Sequence, residues 1–380
     1  MDSRTFTILC VAGARPNFMK IGPILRALSE SPHLSPKLVH TGQHYDDALS
    51  KIFFDELKIR QPDTDLGVGS GTHAVQTAEV MRRFEPVLDA EQPHVVLVVG
   101  DVNSTLACAL VASKYTLHRP FAYKGASRRR PLVVHVEAGL RSRDDEMPEE
   151  INRRLTDSLS ELLFVSDPDG LANLRAEGIP DERVFFVGNV MIDSLLAVRE
   201  RAATSRILEN IGVSPQQFGL LTLHRPSNVD DEAVLEELLR TLDEIAASVP
   251  IVFPVHPRTR ARLGHLGLEL DSRKWILIDP IGYIDFVRAM GAAAVVLTDS
   301  GGVQEETTVL GVPCITLREN TERPVTVSEG TNVLAGRSRE RILRAYETAG
   351  ERRRAGRIPR LWDGRAALRI TEVLAGALGG

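Results

Sequence analysis

The stretch Asp299-Ser300-Gly301-Gly302-Val303-Gln304-Glu305-Glu306 follows the apolar run Ala292 to Leu297, and together they read as a buried strand ending in a glycine pair that opens a helix. Adjacent glycines let backbone N–H groups approach an anion closely. The helix N-terminus behind them adds aligned dipoles that favour negative charge. The stretch therefore reads as a phosphate cradle, with an ordinary strand-to-helix turn as the plain alternative. Glu306 falls about a turn and a half further along, where a carboxylate can accept hydrogen bonds from ribose hydroxyls.

Outward from the cradle, apolar runs of strand length recur at Leu220 to Leu223, Ile251 to Val255, Trp275 to Ile278 and Cys314 to Leu317. The first half repeats the rhythm with Phe6 to Val11, Leu38 to Thr41, Val95 to Val99, Leu132 to Val136 and Leu162 to Val165. Helical periodicity lies between them at Ile21 to Leu28, Ala74 to Leu88, Leu106 to Ser113 and Ile151 to Leu159. Apolar strands alternating with helices predict parallel sheets covered on both faces, here two doubly wound domains. The expected domains are 1–189 and 190–380, with the boundary after Val187-Gly188-Asn189 and a bridging helix from Val190 to Glu209. Their strand ends are expected to face a central cleft. The last helical stretch, 366–378, can cap either half, including by packing back on the first.

The chain has 380 residues, a formal net charge of −5 and a pI near 6.1. That balance argues against a nucleic-acid partner and for a small molecule. Cys10, Cys108 and Cys314 are widely spaced in apolar contexts, which suits buried thiols rather than disulfides or a thiolate metal site. No apolar stretch approaches the ~18 residues needed to span a bilayer, and the beginning of the chain carries no basic leader. A cytoplasmic enzyme without membrane contact is expected. The basic runs Lys124 to Arg130 and Arg352 to Arg357 read as solvated loops.

Several chemistry-bearing residues follow directly on the strands. Gly13-Ala14-Arg15-Pro16 leads into a helix near Pro16, which places Arg15 and Lys20 by a helix start. The spaced glycines of a dinucleotide fingerprint are absent there, and Gly67, Gly69 and Gly71 read as loop. Gly100-Asp101 ends one strand, and His135-Val136-Glu137-Ala138-Gly139-Leu140-Arg141 ends the next, so two carboxylates share one strand edge. Glu149 and Glu150 head a helix, where acids also serve simply to complement its dipole. Clustered, partly desolvated carboxylates suit proton abstraction. In the second half His224 ends a strand, where an imidazolium could donate to a departing phosphate oxygen. His256 is a weaker candidate. With His44 and His135 the histidines show no ligand spacing, so no metal site is expected.

These motifs, with Thr41-Gly42-Gln43-His44, Pro148-Glu149-Glu150, His224-Arg225 and Thr321-Glu322-Arg323-Pro324, run in order nearly end to end. Together they resemble the bacterial non-hydrolysing UDP-N-acetylglucosamine 2-epimerases. The resemblance implies a GT-B fold of two Rossmann-like domains, no cofactor, no metal, a UDP-sugar substrate, a homodimer and service to polysaccharide synthesis. It implies inversion at carbon 2 through loss and re-addition of UDP, with 2-acetamidoglucal held in a closed cleft and a hinge near Val190. Asp101, Glu137 and Glu149 would move protons, in an order the resemblance does not assign, and His224 would assist the diphosphate. Arg15, Lys20, Phe286, Ser300, Gly301, Gly302, Glu306 and Arg323 would bind substrate. Gln43, His44, Arg225 and His256 are the residues implied for a regulatory sugar-nucleotide site. Two departures stand out: Pro226-Ser227-Asn228 follows the histidine-arginine pair where relatives commonly carry a second arginine and a glutamate, and Ile281 stands where many have glutamine. The uronic-acid 2-epimerases of diacetamido sugars share the motifs, as do hydrolysing 2-epimerases, and GT-B glycosyltransferases share the cradle.

Overall fold

The computed structural model describes residues 5–42, 55–255, 257–265 and 270–379. The chain divides into two compact units, Met1–Ser194 with Arg360–Gly380, and Leu195–Pro359. The dividing point falls inside the helix Val190–Ala203.

In the first unit the strands are β1 (Phe6–Ala12), β2 (Leu34–His40), β3 (Thr64–Asp65), β4 (Val95–Val99), the hairpin β5 (Phe121–Tyr123) and β6 (Ala126–Arg128), β7 (Leu132–Val136), β8 (Leu162–Val165) and β9 (Val184–Phe186). All but the hairpin join one parallel sheet in the order β3-β2-β1-β4-β7-β8-β9. Every residue of β4 and β7 is buried, the signature of strands covered on both faces. Order reverses between β1 and β4, the kind of switch point at which open α/β sheets bind ligands. Register then decides what emerges there. Val99 pairs with Val136, so Gly100-Asp101 and Glu137 leave the sheet side by side.

The second unit repeats this plan with β10 (Gly219–Thr222), β11 (Ile251–Pro254), β12 (Trp275–Ile278), β13 (Val295–Thr298), β14 (Cys314–Thr316) and β15 (Asn332–Leu334), ordered β12-β11-β10-β13-β14-β15 and parallel throughout. Its reversal lies between β10 and β13, where Thr222 pairs with Thr298. His224 and Asp299-Ser300 therefore emerge together.

The covering helices follow from patterning. In His73–Glu91 the buried Gln76, Val80, Phe84 and Leu88 recur every fourth residue, and Thr72 Oγ1 caps the start by accepting Val75 N–H at 3.3 Å. In Glu232–Ala246 the Asp231 carboxylate accepts Ala233 and Val234 N–H, while Leu235, Leu238, Leu239, Leu242 and Ile245 fill the core. Each such leucine stabilises the unit by about 2 kcal/mol. The three cysteines are free and buried, and burial pushes the Cys10 and Cys314 thiols up to about 12.

The returning segment is tied to the first unit. Trp362 is buried and donates its indole N–H to Ser166 O at 2.9 Å. Asp193 accepts Ala366 and Ala367 N–H at 3.1 and 2.7 Å, which caps the helix Ala366–Gly379, and that helix packs on Arg15–Ser29.

Three readings of the sequence are corrected. The bridging helix expected from Val190 to Glu209 is broken into Val190–Ala203 and Ile207–Asn210. The basic run from Lys124 is partly a β-hairpin, with Lys124 and Arg128 over the Tyr123 ring, and the run from Arg352 begins within the helix Ala349–Ala355. No helix among the described residues is long and apolar enough to cross a membrane.

Candidate active site

At the first unit's switch point, Gly100 and Glu137 both have φ of +67°, a left-handed backbone that is unusual for glutamate. The Lys20 ammonium, carried by the helix Arg15–Ser29, pairs with Glu137 Oε2, and both side chains are buried. A Cβ on Gly100 would lie 3.1 Å from Lys20 Nζ and 3.7 Å from Glu137 Oε2, so glycine leaves room for the pair. The other carboxylate oxygen, Oε1, is buried without a hydrogen-bond partner among the described residues. A buried acceptor left open is an invitation to a donor from outside the chain. Asn17 braces the neighbouring turn by accepting Gly13 and Ala14 N–H and donating to Val99 O at 3.2 Å.

The helix Pro148–Leu159 is amphipathic in the reverse sense. Its buried stripe is Glu150, Asn152, Arg153, Thr156 and Asp157, whereas Ile151 and Leu155 face solvent. The polar stripe holds the strand ends. Arg153 bridges Asp101 Oδ2 and Glu150 Oε2, the latter at 2.6 Å, and Asn152 donates to Asp101 O at 2.9 Å. Glu150 is otherwise spent on Ser142 and Arg143, so of the two acids heading this helix it is the structural one. Glu149 is only half-buried.

His135 is fully buried, with Nδ1 2.6 Å from Asp157 Oδ1 and Nε2 2.8 Å from Gly100 O. Both partners only accept, so a ring carrying both hydrogens satisfies them together. Asp157 also accepts from Arg141 at 2.7 Å and from Gly139 N–H at 3.1 Å. Burial by itself would raise the Asp157 carboxyl, but the His135 ring and Arg141 outweigh it and hold the group below the usual range.

In the second unit Ser300 precedes the helix Gly301–Leu310 and donates its N–H to Thr298 Oγ1, while its hydroxyl makes no cap bond. The first N–H groups of that helix have no intrahelical partner. Neither glycine has a left-handed backbone. A Cβ on Gly301 would instead sit 2.7 Å from an Arg323 guanidinium nitrogen, so glycine leaves room for that cation beside the helix start. Arg323 is braced by Glu305 at 2.7 Å and Glu322 at 3.5 Å. His224 Nδ1 lies 2.8 Å from Asp299 Oδ1, with the histidine side chain 56% exposed and the aspartate buried. Phe286, Ile281, Pro280, Pro254, Thr222, Leu223 and His224 line a pocket of about 170 Å³. Glu306 is buried, its Oε1 2.6 Å from the Tyr283 hydroxyl; burial pushes its carboxyl up to about 7, Tyr283 pulls it down and Glu305 adds to the rise.

Among the residues picked out from the sequence, Asp101, Glu137 and Lys20 thus gather at one switch point, and His224, Ser300, Gly301, Gly302 and Arg323 at the other, with Phe286 beside His224. Gln43, His44 and His256 lie outside the described residues, as does the side chain of Arg15. Arg225 contributes a backbone N–H to Asp299 at 2.9 Å. Sequence reasoning passed over Asn17, Arg153, Asp157, Asp299 and Tyr283. Only Asp299 stood within a motif that gave it a signal. No group of three or more His, Cys, Asp or Glu among the described residues could hold a metal ion.

Two Rossmann-like units, each built on a parallel sheet, carry carboxylates at the switch point of one and a glycine pair opening a helix at that of the other. Comparison with known proteins specifies the class. The family described as UDP-N-acetylglucosamine 2-epimerase matches residues 26–375. The UDP-N-acetylglucosamine 2-epimerase of Methanocaldococcus jannaschii is 42% identical over 372 residues, covering 96% of this chain and 97% of the relative. The UDP-2,3-diacetamido-2,3-dideoxy-D-glucuronate 2-epimerase of Pseudomonas aeruginosa is likewise 42% identical, over 97% and 99%. The crystal structure of the M. jannaschii enzyme in complex with UDP-GlcNAc and UDP superposes with a TM-score of 0.87 at 40% identity, covering 98% of this chain and all of that one. The chain belongs to the UDP-N-acetylglucosamine 2-epimerase family, isomerases of the GT-B class.

Proposed function

We propose that this chain interconverts UDP-N-acetylglucosamine and UDP-N-acetylmannosamine without releasing the sugar, the first unit moving protons and the second holding UDP. The observation that carries the reading is Glu137, a buried carboxylate on a left-handed backbone with one oxygen open, next to Asp101 at the same strand edge.

In this reading a carboxylate among Asp101, Glu137 and Glu149 takes the proton from carbon 2, and the C2–H electron pair forms the C1–C2 double bond as the C1–O bond to UDP breaks. The departing diphosphate carries the new negative charge, which Arg323, the first N–H groups of Gly301–Leu310 and a protonated His224 are suited to receive. Reprotonation of 2-acetamidoglucal on the opposite face and return of UDP to carbon 1 complete the inversion. A positioned acid or base contributes about 10² to 10⁴ in rate, so several must cooperate with the diphosphate ligands. Glu306 would take the ribose hydroxyls, and Phe286 and Arg15 would complete the grip. A homodimer acting in the cytoplasm, and a regulatory site that includes Arg225, belong to the same reading.

The equal identity to the diacetamido-uronate 2-epimerase supports a second reading in which the sugar differs and the chemistry does not. Incubation in deuterium oxide with each nucleotide sugar, followed by proton NMR, tests both. Deuterium is expected at carbon 2 of a product still joined to UDP. Free N-acetylmannosamine would mean a hydrolysing enzyme, and exchange with the uronate alone would select the second reading.

A further inference from the structure

We propose that Asp299 is a positioning residue for this reaction, fixing the His224 imidazole with Nδ1 turned inward so that Nε2 is the nitrogen left to act. The inference deepens the reading of His224 given above and rests on it.

The geometry is that of a carboxylate built around one ring. Asp299 Oδ1 lies 2.8 Å from His224 Nδ1, and the aspartate is wholly buried while the imidazole is more than half exposed. A carboxylate can only accept, so Nδ1 must carry its hydrogen and Nε2 becomes the variable position. Asp299 Oδ2 meanwhile accepts His224 N–H at 3.0 Å, Arg225 N–H at 2.9 Å and an Asn228 amide hydrogen at 3.2 Å. Asn228 also donates to Leu317 O at 3.0 Å, which anchors the clamp to the end of β14. Burial opposes the charge on Asp299, but these donors, led by His224, outweigh it and keep its carboxyl below the ordinary range.

Position in the chain gives the arrangement its use. Asp299 directly precedes Ser300 and the helix start, and its own N–H reaches Thr222 O at 3.3 Å. Thr222 and Thr298, paired in register across β10 and β13, share a hydroxyl hydrogen bond of 2.5 Å. One residue thereby sets the imidazole in register with the anion cradle. The pocket beside the ring is lined otherwise by the uncharged Thr222, Leu223, Pro254, Pro280, Ile281 and Phe286, whereas Asp299 sets a charge directly against the ring.

A carboxylate that merely ties backbone N–H groups would show the same burial, so the test must report on the histidine. Turnover of Asp299→Asn is measured by deuterium incorporation at carbon 2, alone and combined with His224→Gln, with UDP affinity followed by calorimetry. Asp299→Asn is expected to lose at least about tenfold in kcat in the parent but less than about twofold in the His224→Gln background. An equal loss in both backgrounds overturns the proposal. A His224→Gln protein that turns over like the parent instead overturns the reading of His224 itself. Should Asp299→Asn fail to fold, ¹⁵N-histidine NMR of the unmodified protein decides: the His224 signal, assigned by its loss in His224→Gln, is expected to show a protonated Nδ1 throughout the titration, and a neutral ring protonated at Nε2 overturns the proposal.

Discussion

Each unit carries a histidine paired with an aspartate at the end of its sheet, and the two pairs differ in one respect. His135 is sealed, with Asp157 on one nitrogen and Gly100 O on the other. His224 has Asp299 on Nδ1 and stands 56% exposed. The same two side chains thus make a rivet in the first unit and, in the function proposed above, a tool in the second. Pairing a histidine with a buried carboxylate does not by itself mark a site of chemistry. What would mark it is a polar atom not spent on the described residues, and by the same reasoning Glu137, with Oε1 open among them, is the acid proposed to act, whereas Glu150 is a rivet.

The contrast is tested first where the expected effect is largest. Asp101→Asn should lower turnover by about 10² to 10⁴ while calorimetry shows UDP affinity close to the parent's, because the variant alters the proton-moving unit alone; an equal loss of UDP affinity would break the division of labour. The two histidines should then separate by the kind of damage they cause. His135→Gln leaves Asp157 and Arg141 in a buried network short of a partner, and chemical denaturation should show a loss of about 3–5 kcal/mol. His224→Gln should cost under about 1 kcal/mol of stability while turnover collapses.

Glu306 sharpens the comparison as a buried acid without a paired histidine. Its carboxyl is pushed up to about 7, whereas in the unfolded chain it titrates near 4.5. The native state therefore holds more protons between those values, and this contribution to stability is complete below 4.5 and lost as pH rises through 7. The loss is on the order of 3 kcal/mol at about 1.4 kcal/mol per pH unit. Denaturation of Glu306→Gln across pH 4.5 to 8 should show that decline removed, and an unchanged slope would refute it. The smallest effect belongs to Asp193, a carboxylate engaged by the Ala366 and Ala367 N–H groups. Asp193→Ala should cost about 1 kcal/mol, as for other lost helix caps, with turnover little changed.

The α/β rhythm was legible because most of its strands are continuous apolar runs, broken only by His135 in Leu132–Val136. Val95–Val99, Leu132–Val136, Leu162–Val165 and Trp275–Ile278 have the bounds the sequence suggests. The strands not foreseen, Thr64–Asp65, Val184–Phe186 and Asn332–Leu334, are short pieces at sheet edges. The hairpin Phe121–Arg128 bears arginine and lysine in place of an apolar alternation. At the site, the residues that follow strands could be found by position. Their partners could not: Lys20 and Glu137 are 117 positions apart, His224 and Asp299 are 75 apart, and the helix Pro148–Leu159 buries the polar face that periodicity assigns to solvent. Spatial neighbours at such separations are set by strand order and register, which local pattern does not encode.

The second unit is continuous from Leu195 to Pro359, whereas the first is interrupted by it and completed only by Arg360–Gly380. During synthesis the second unit can close as soon as its own residues leave the ribosome, but the helix Arg15–Ser29 must wait with part of its apolar surface bare until Ala366–Gly379 arrives to cover it, and Ser166 O waits for Trp362. The portion translated first is thus the portion finished last, and a chain halted before Trp362 would display a closed second unit beside an open, aggregation-prone first one.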